Sequence, residues 1–208
     1  MRALLKRSAL IASAALLCAS CAAAARVVYP VNTNALKAQP GDYEIDPDHV
    51  SVIFAVNHLG FSVYYGRFSE ISGTLSLDVE APERSEVAVR IASASIDTTS
   101  EELNEKLRSG DMFDAAAYPD IIFESTRVVR TGERTADVDG LLTIKGATRP
   151  ITLQTEFVGS GRAPLLNDRR AGFSAKARLS RKDFGLDAWS GFVGDEVDLL
   201  IAAEFKTR

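Results

Sequence analysis

From Tyr43 onward, apolar residues recur at every second position through most of the chain. In Val50–His58 the even positions are Val50, Val52, Phe54, Val56 and His58, opposite the more mixed set Ser51, Ile53, Ala55 and Asn57. Leu75, Leu77 and Val79 form the next run, and Val87, Val89 and Ile91 the one after. Ile121 and Phe123 lead a fourth, and Val138, Gly140, Leu142 and Ile144 share one side of a fifth. Ile151, Leu153, Thr155 and Phe157 alternate with Thr152, Gln154 and Glu156. Ala171, Phe173, Ala175, Ala177 and Leu179 form the seventh run, and Val197, Leu199, Ile201, Ala203 and Phe205 the eighth. A period of two places one face of an extended strand in a core and the other toward water. The pattern predicts eight strands.

One segment departs from it. Ser100 precedes Glu101 and Glu102, and Leu103 and Leu107 stand four residues apart. A capping serine, acidic residues in the first turn and an i, i+4 apolar pair predict a short helix packed on one end of the sheet. Turn signals at Ala81-Pro82, Thr131-Gly132, Lys145-Gly146, Arg162-Ala163-Pro164 and Gly194-Asp195 separate the strands. Eight mainly antiparallel strands with one helical insertion make a barrel or a sandwich. An eight-stranded barrel has an interior just wide enough for packed side chains or for one ligand. Several inward positions are small (Gly140, Thr155, Ala171, Ala175, Ala177 and Ala203), which fits a cavity or tight barrel corners equally.

The first residues are of another kind. Arg2, Lys6 and Arg7 precede an apolar run from Ala9 to Leu17 and the alanines Ala22–Ala25. This predicts a secretory signal over residues 1–25, cleaved before Arg26. The competing reading is a lipoprotein signal over 1–20 with Cys21 acylated; membrane contact is expected only in that case. The run is too short to span a bilayer, which takes about 20 apolar residues. Either way the protein is exported, and the arrangement predicts a periplasmic location. Residues 26–41, with two prolines, Asn32 and Asn34, read as a tether before a domain over 42–206.

Charge and cysteine content narrow the chemistry. The chain carries 24 Lys and Arg against 28 Asp and Glu, and all three basic residues of the leader leave with it. The body that remains has a net charge of −7, from 21 basic and 28 acidic residues. Such a surface disfavours gripping a nucleic-acid backbone and offers no polybasic patch for anionic lipid. Both cysteines, Cys18 and Cys21, lie in the leader. The body therefore has no disulfide, no thiolate nucleophile and no zinc–cysteine site.

Candidate chemistry is sparse. There are two histidines, His49 and His58. No Gly-x-Ser-x-Gly elbow accompanies His58, so a hydrolase reading rests on one residue, and no enzyme activity is expected. Asp46, Asp48 and His49 form a cluster in a Pro-containing stretch, but the later ligands of a calcium loop are missing. The cluster reads as a solvated turn, without a metal. Phe61, Tyr64, Tyr65 and Phe68 crowd within eight residues after the first strand, with Gly60 and Gly66 as breaks. Aromatic side chains of this density suit a pocket wall or a packed barrel corner.

A series of blocks carries a family resemblance. Tyr43-Glu44-Ile45-Asp46-Pro47-Asp48-His49 is followed by Phe54-Ala55-Val56-Asn57-His58-Leu59-Gly60 and Gly66-Arg67-Phe68. Then come Ala94-Ser95-Ile96-Asp97-Thr98, the stretch Leu107–Ala115 with Tyr118-Pro119, and Phe123-Glu124-Ser125-Thr126. Gly140–Gly146 with Arg149-Pro150-Ile151, Arg181–Leu186 and Val193–Val197 complete the order. Together they resemble the YceI-like family over nearly all of residues 42–206. One departure is Gly110, where alanine is expected. The resemblance implies an all-β, eight-stranded antiparallel lipocalin-like barrel. It also implies an exported protein that binds a long isoprenoid, quinone-like or other lipid in an apolar lumen, with no further cofactor.

The residues expected to touch such a lipid are Phe54, Val56, His58, Phe61, Tyr64, Phe68, Phe123, Leu142, Leu153, Phe173, Leu199 and Ile201. His58, Arg67 and Arg108 are candidates for its polar head. The rival expectation is a filled barrel that acts as an interaction or stress-response module and holds no small molecule. A homodimer stays open, since an exposed patch near the barrel mouth fits a dimer contact or an exit path.

Overall fold

A computed structural model describes residues 31–163 and 168–208. The signal over 1–25 and Cys21 lie outside the described residues. The strands are β1 (Gly41–His58), β2 (Ser62–Phe68), β3 (Ile71–Leu77), β4 (Glu86–Ala92), β5 (Ile96–Asp97), β6 (Asp120–Arg130), β7 (Thr135–Ile144), β8 (Ala147–Arg162), β9 (Arg169–Ser180) and β10 (Val193–Thr207). The helix α1 (Glu101–Arg108) lies between β5 and β6.

All pairings named here are antiparallel, and β10 returns to β1 along nearly its whole length, from Tyr43↔Thr207 to His58↔Val193. That pairing closes the sheet. The ten strands make eight staves, because β2 and β3 continue one another along the long β1, and β5 and β4 continue one another beside them. The result is the eight-stranded antiparallel barrel that the resemblance implies, and one of the two architectures, barrel or sandwich, that the alternation allows. Closure removes the long exposed edges of an open sheet, although β5 is paired on one side only, with the end of β2.

The pattern in the sequence missed β2. Gly60 and Gly66 read there as breaks, but Gly66 sits inside the strand opposite Phe54. A side chain at Gly66 would collide with the Phe54 ring, so the glycine makes room for an aromatic group. Gly140 does the same for Phe123. Its smallness fills space and does not open it. Thr155, Ala175 and Ala203, by contrast, do line the interior cavity.

The stretch at Asp46 is a bulge inside β1, with a register shift between Ile45 and Val50. Residues 46–49 stand opposite the single residue Glu204, because Ile45 pairs with Phe205 and Val50 with Ala203. The insertion changes parity, so Tyr43 and Ile45 before it and Val52 after it all face the core. The expected solvated turn is corrected here. Asp46 is only 4% exposed. It accepts from His49 Nδ1 at 2.7 Å and is ion-paired with Arg170, which also reaches Glu204 at 3.3 Å and Asp168 at 3.2 Å. Asp46, His49 and Glu204 approach closely enough to share a cation. The guanidinium of Arg170 supplies that positive charge.

Residues 31–40, part of the expected tether, are docked on the barrel. Asn32 pairs with Ser160 of β8 through bonds of 2.8 and 2.9 Å. Asn34 caps a single 3-10 turn, Ala35–Lys37, and Ala38 is buried. At the opposite end α1 has the predicted cap, with Ser100 accepting from the Leu103 amide. Asn104, 3% exposed, accepts from the amide and hydroxyl of Thr98 and so ties the helix to the strand before it. Between β7 and β8, Lys145 (φ 49°) and Gly146 (φ 75°) form the two-residue hairpin turn that the sequence signals.

Candidate lipid-binding cavity

The alternating inward side chains do not fill the barrel. They enclose a cavity of about 770 Å³ whose lining extends from one end of the staves to the other. Small-molecule sites measure about 300–1,000 Å³ and are mostly apolar, with a few polar anchors. The middle is aliphatic, with Val52, Leu142, Leu153, Leu199 and Ile201 from β1, β7, β8 and β10. Aromatic groups flank it. Toward α1, Phe54 stands 6.0 Å from Phe68, which stands 5.8 Å from Phe113 in an edge-to-face contact. Toward the other end, Phe173 lies 5.6 Å from Phe157 and 5.9 Å from Phe205. Such tilted contacts fix ring positions through the charge distribution of the π faces.

Of the residues expected to touch a lipid, Phe54, Val56, His58, Tyr64, Phe68, Phe123, Leu142, Leu153, Phe173, Leu199 and Ile201 line the cavity. Phe61 does not. It sits at the tip of the β1–β2 hairpin and is 88% exposed. His58 is on the exposed rim, at the end of β1, and is not a core histidine. Tyr64 shares that rim, with its hydroxyl 3.2 Å from Thr99 Oγ1. Hydrogen bonds from Thr99 and Thr98 hold the Tyr64 phenol below its usual range.

The two arginines expected at a head group lie outside the cavity. Arg67 has the odd parity of the outer face of β2 and donates to Asp97 at 2.9 Å. Arg108 donates to the carbonyls of Ala94 and Ile96 and to Glu101, which pins α1 to β5. Cations at the cavity ends are instead Arg181 on the α1 side and Arg130 and Arg134 on the far side. No motif announces Arg130 or Arg134, and Arg181 stands in the sequence only as part of the Arg181–Leu186 block, because each becomes relevant to the cavity only through where its strand ends.

Several lining groups come from outside the staves. Leu103 and Leu107 of α1, with Met112 and Phe113 after it, cap one end, and Ala35, Leu36 and Ala38 stand at the other. The i, i+4 leucine pair was legible in the sequence, whereas the N-terminal contribution had no periodic signal. Trp189 and Phe192 reach the cavity from the loop before β10. That loop is held by Arg181, which is 5% exposed. Its guanidinium donates to the carbonyls of Leu186, Ala188, Val193 and Gly194. One side chain thus satisfies four acceptors, two in the loop and two at the start of β10. In Arg181→Met these carbonyls keep only water as a donor. Losing charge-assisted bonds of this kind is expected to cost about 2 kcal/mol. Urea denaturation should show the loss, and amide exchange should quicken first in residues 186–194.

Comparison with known proteins gives these features a context. The YceI-like domain model matches residues 43–205. A UPF0312 protein of Azotobacter vinelandii is 39% identical over 170 residues, which is 81% of this chain and 88% of that protein. Among solved structures, Burkholderia cenocepacia BcnA superposes with a TM-score of 0.70 at 22% identity, covering 77% of this chain and 98% of BcnA. A polyisoprenoid binding domain from Saccharophagus degradans superposes with a TM-score of 0.61 at 16% identity, covering 82% of this chain and all of that domain. At such identities the structural likeness carries the fold alone. The match of the family model over most of the chain, together with the Azotobacter relative, makes this chain a member of the YceI-like domain family.

Proposed function

We propose that this protein is an exported lipid-binding protein that holds one long-chain isoprenoid-type or other amphiphile along its lumen, for transport, storage or protection. The observation that carries the reading is the through-running cavity of about 770 Å³ with its aliphatic middle and aromatic ends. A hydrocarbon chain gains about 0.8 kcal/mol per buried CH₂. Affinity of that origin survives the cost of ordering the chain and needs few polar contacts. The polar end of the ligand rests at the His58–Tyr64 rim, where an imidazole and a phenol offer hydrogen bonds. The polyisoprenoid binding domain from Saccharophagus degradans, which shares the fold, supports the choice of ligand class. The signal-like leader supports export to the periplasm, and the apolar lumen together with the polyisoprenoid binding neighbour supports binding in place of catalysis. A filled interaction scaffold is the weaker reading, because its interior would be packed.

Native mass spectrometry of protein purified from its own periplasm, followed by solvent extraction, tests the proposal. The expected result is one isoprenoid-type lipid per chain and an N-terminus near Arg26. A ligand-free protein that also refuses added polyprenols would overturn it. His58→Leu is expected to shift head-group preference while chain-length preference stays.

A further inference from the structure

At the α1 end of the barrel the surface is apolar on one side. Phe61 is 88% exposed, Phe192 63%, Tyr65 55%, Val63 50% and Leu59 46%. These residues form one patch. The Leu59 amide donates to the Phe192 carbonyl at 3.0 Å, and His58 pairs with Val193, so the β1–β2 hairpin tip and the loop before β10 lie side by side. Val63 and Tyr65 continue the patch along the outer face of β2, beside Asn57 and Ala55.

The patch is also free of charge. Residues 50–66 contain no Asp, Glu, Lys or Arg, nor do residues 188–194, in a chain of which 25% is charged. Its border is the cavity itself, because Phe192, Trp189, His58 and Tyr64 line the mouth. Uncharged surface therefore runs from the outside of the hairpin into the lumen, interrupted only by the polar rim of His58 and Tyr64. The N-terminal segment, residues 31–40, lies at the other end of the barrel and leaves this patch open. The helix side of the same mouth is charged, with Glu101, Glu102, Glu105 and Lys106.

We infer that this patch docks on a lipid bilayer, with the hairpin tip and the 189–193 loop dipping into the interface so that the lumen opens toward the acyl chains. Charge-free, aromatic-tipped loops are the elements that an interface accepts, since a charged side chain resists burial there. A second copy of the chain is the less suited occupant. The five exposed side chains present on the order of 500 Å², whereas a stable dimer buries about 800 Å² per partner. The patch itself holds no Lys or Arg, so its apolar side chains and not attraction to anionic headgroups drive the docking. The inference rests on the lipid-holding reading for its cargo and not for the surface itself.

The test compares wild type with Phe61→Ser/Val63→Ser, which alters the patch and no cavity-lining residue. Uptake of geranylgeraniol is followed by Trp189 emission, from an aqueous dispersion and from phosphatidylcholine vesicles carrying the prenol. Flotation measures binding to the same vesicles. Uptake from the dispersion is expected to stay within about twofold, while uptake from vesicles slows about tenfold and flotation is lost. Equal vesicle uptake and flotation by both proteins would overturn the inference. So would a wild-type dimer that the variant converts to monomer at unchanged vesicle uptake, because a second copy would then be the occupant. If wild type takes up no prenol even from the dispersion, the lipid-holding reading fails, and flotation still decides the docking surface alone.

Discussion

Ala175→Trp/Ala203→Trp is expected to lose about a hundredfold in affinity for a long isoprenoid, equivalent to about 2.7 kcal/mol. Both alanines line the cavity on adjacent strands, and they are diagonal neighbours, since Ala175 pairs with Ile201 and Ala203 with Phe173. Two indoles there place bulk across the aliphatic middle, where an extended chain has to pass. The space they enter is empty, so the overpacking that a filled core would suffer is avoided. The thermal midpoint is therefore expected to stay close to that of wild type. Ala202→Trp is the control, because Ala202 is exposed on the outer face of β10. Isothermal titration with a solubilised polyprenol reads all three proteins. Affinity unchanged in the double variant would place the ligand outside the lumen and remove the basis of the proposed function.

Arg170→Ala is expected to destabilise the barrel by about 3 kcal/mol, because it strands a buried carboxylate. Asp46 is the group at stake. Burial opposes its ionisation, but hydrogen bonds from His49, Arg170 and the Asp48 amide outweigh that and hold its pKa at about 2, against an ordinary 3.8. Its contribution to stability is therefore present above pH 3.8 and is lost as pH falls toward 2. His49 runs the other way. Its hydrogen bond to Asp46 and the nearby charge of Glu204 raise its pKa above the ordinary 6.5. That contribution is complete below pH 6.5 and is lost as pH rises through the raised value. The cluster is thus strongest between the two windows. Urea midpoints at acidic, intermediate and alkaline pH should show this maximum in wild type. In Arg170→Ala the intermediate value should fall furthest, and the acid decline should begin at a higher pH. A variant with wild-type midpoints at all three would remove the cluster from the account of stability.

The consequence of that cluster is positional. It stabilises a bulge that lets four residues face one across the β1–β10 seam. Without the bulge, the parity that puts Ile45 inward would put Ser51 and Ile53 inward in place of Val52 and Phe54. The site that closes the barrel thus also sets which side chains reach the lumen.

Much of this was open to reading along the chain. Period-two alternation marked the inward face of six staves and of part of two others, because burial selects apolar residues one position at a time. Of the eleven side chains expected at the lipid that do line the cavity it picked out nine, and the aromatic cluster after the first strand supplied Tyr64 and Phe68. Ser100 and the Leu103/Leu107 pair gave away the helix, since capping and helical spacing are local. Strand β2 stayed hidden because Gly66 looks like a break until the Phe54 ring above it is known. Arg67 and Arg108 looked like anion binders, but the acceptors that occupy them, Asp97 and the Ala94 carbonyl, are brought close only by folding. Asp46 looked solvated because Arg170 lies more than a hundred residues away in sequence. The sequence by itself therefore determined the strand content, the faces, the helix and the family. The closure of β1 on β10, the volume of the lumen, the buried Arg170 and Arg181 clusters and the meeting of two uncharged loops at the mouth were decided by the tertiary structure. Alternation records whether a side chain is inside, while enclosed volume and ionic pairing depend on contacts between distant residues, which no local pattern encodes.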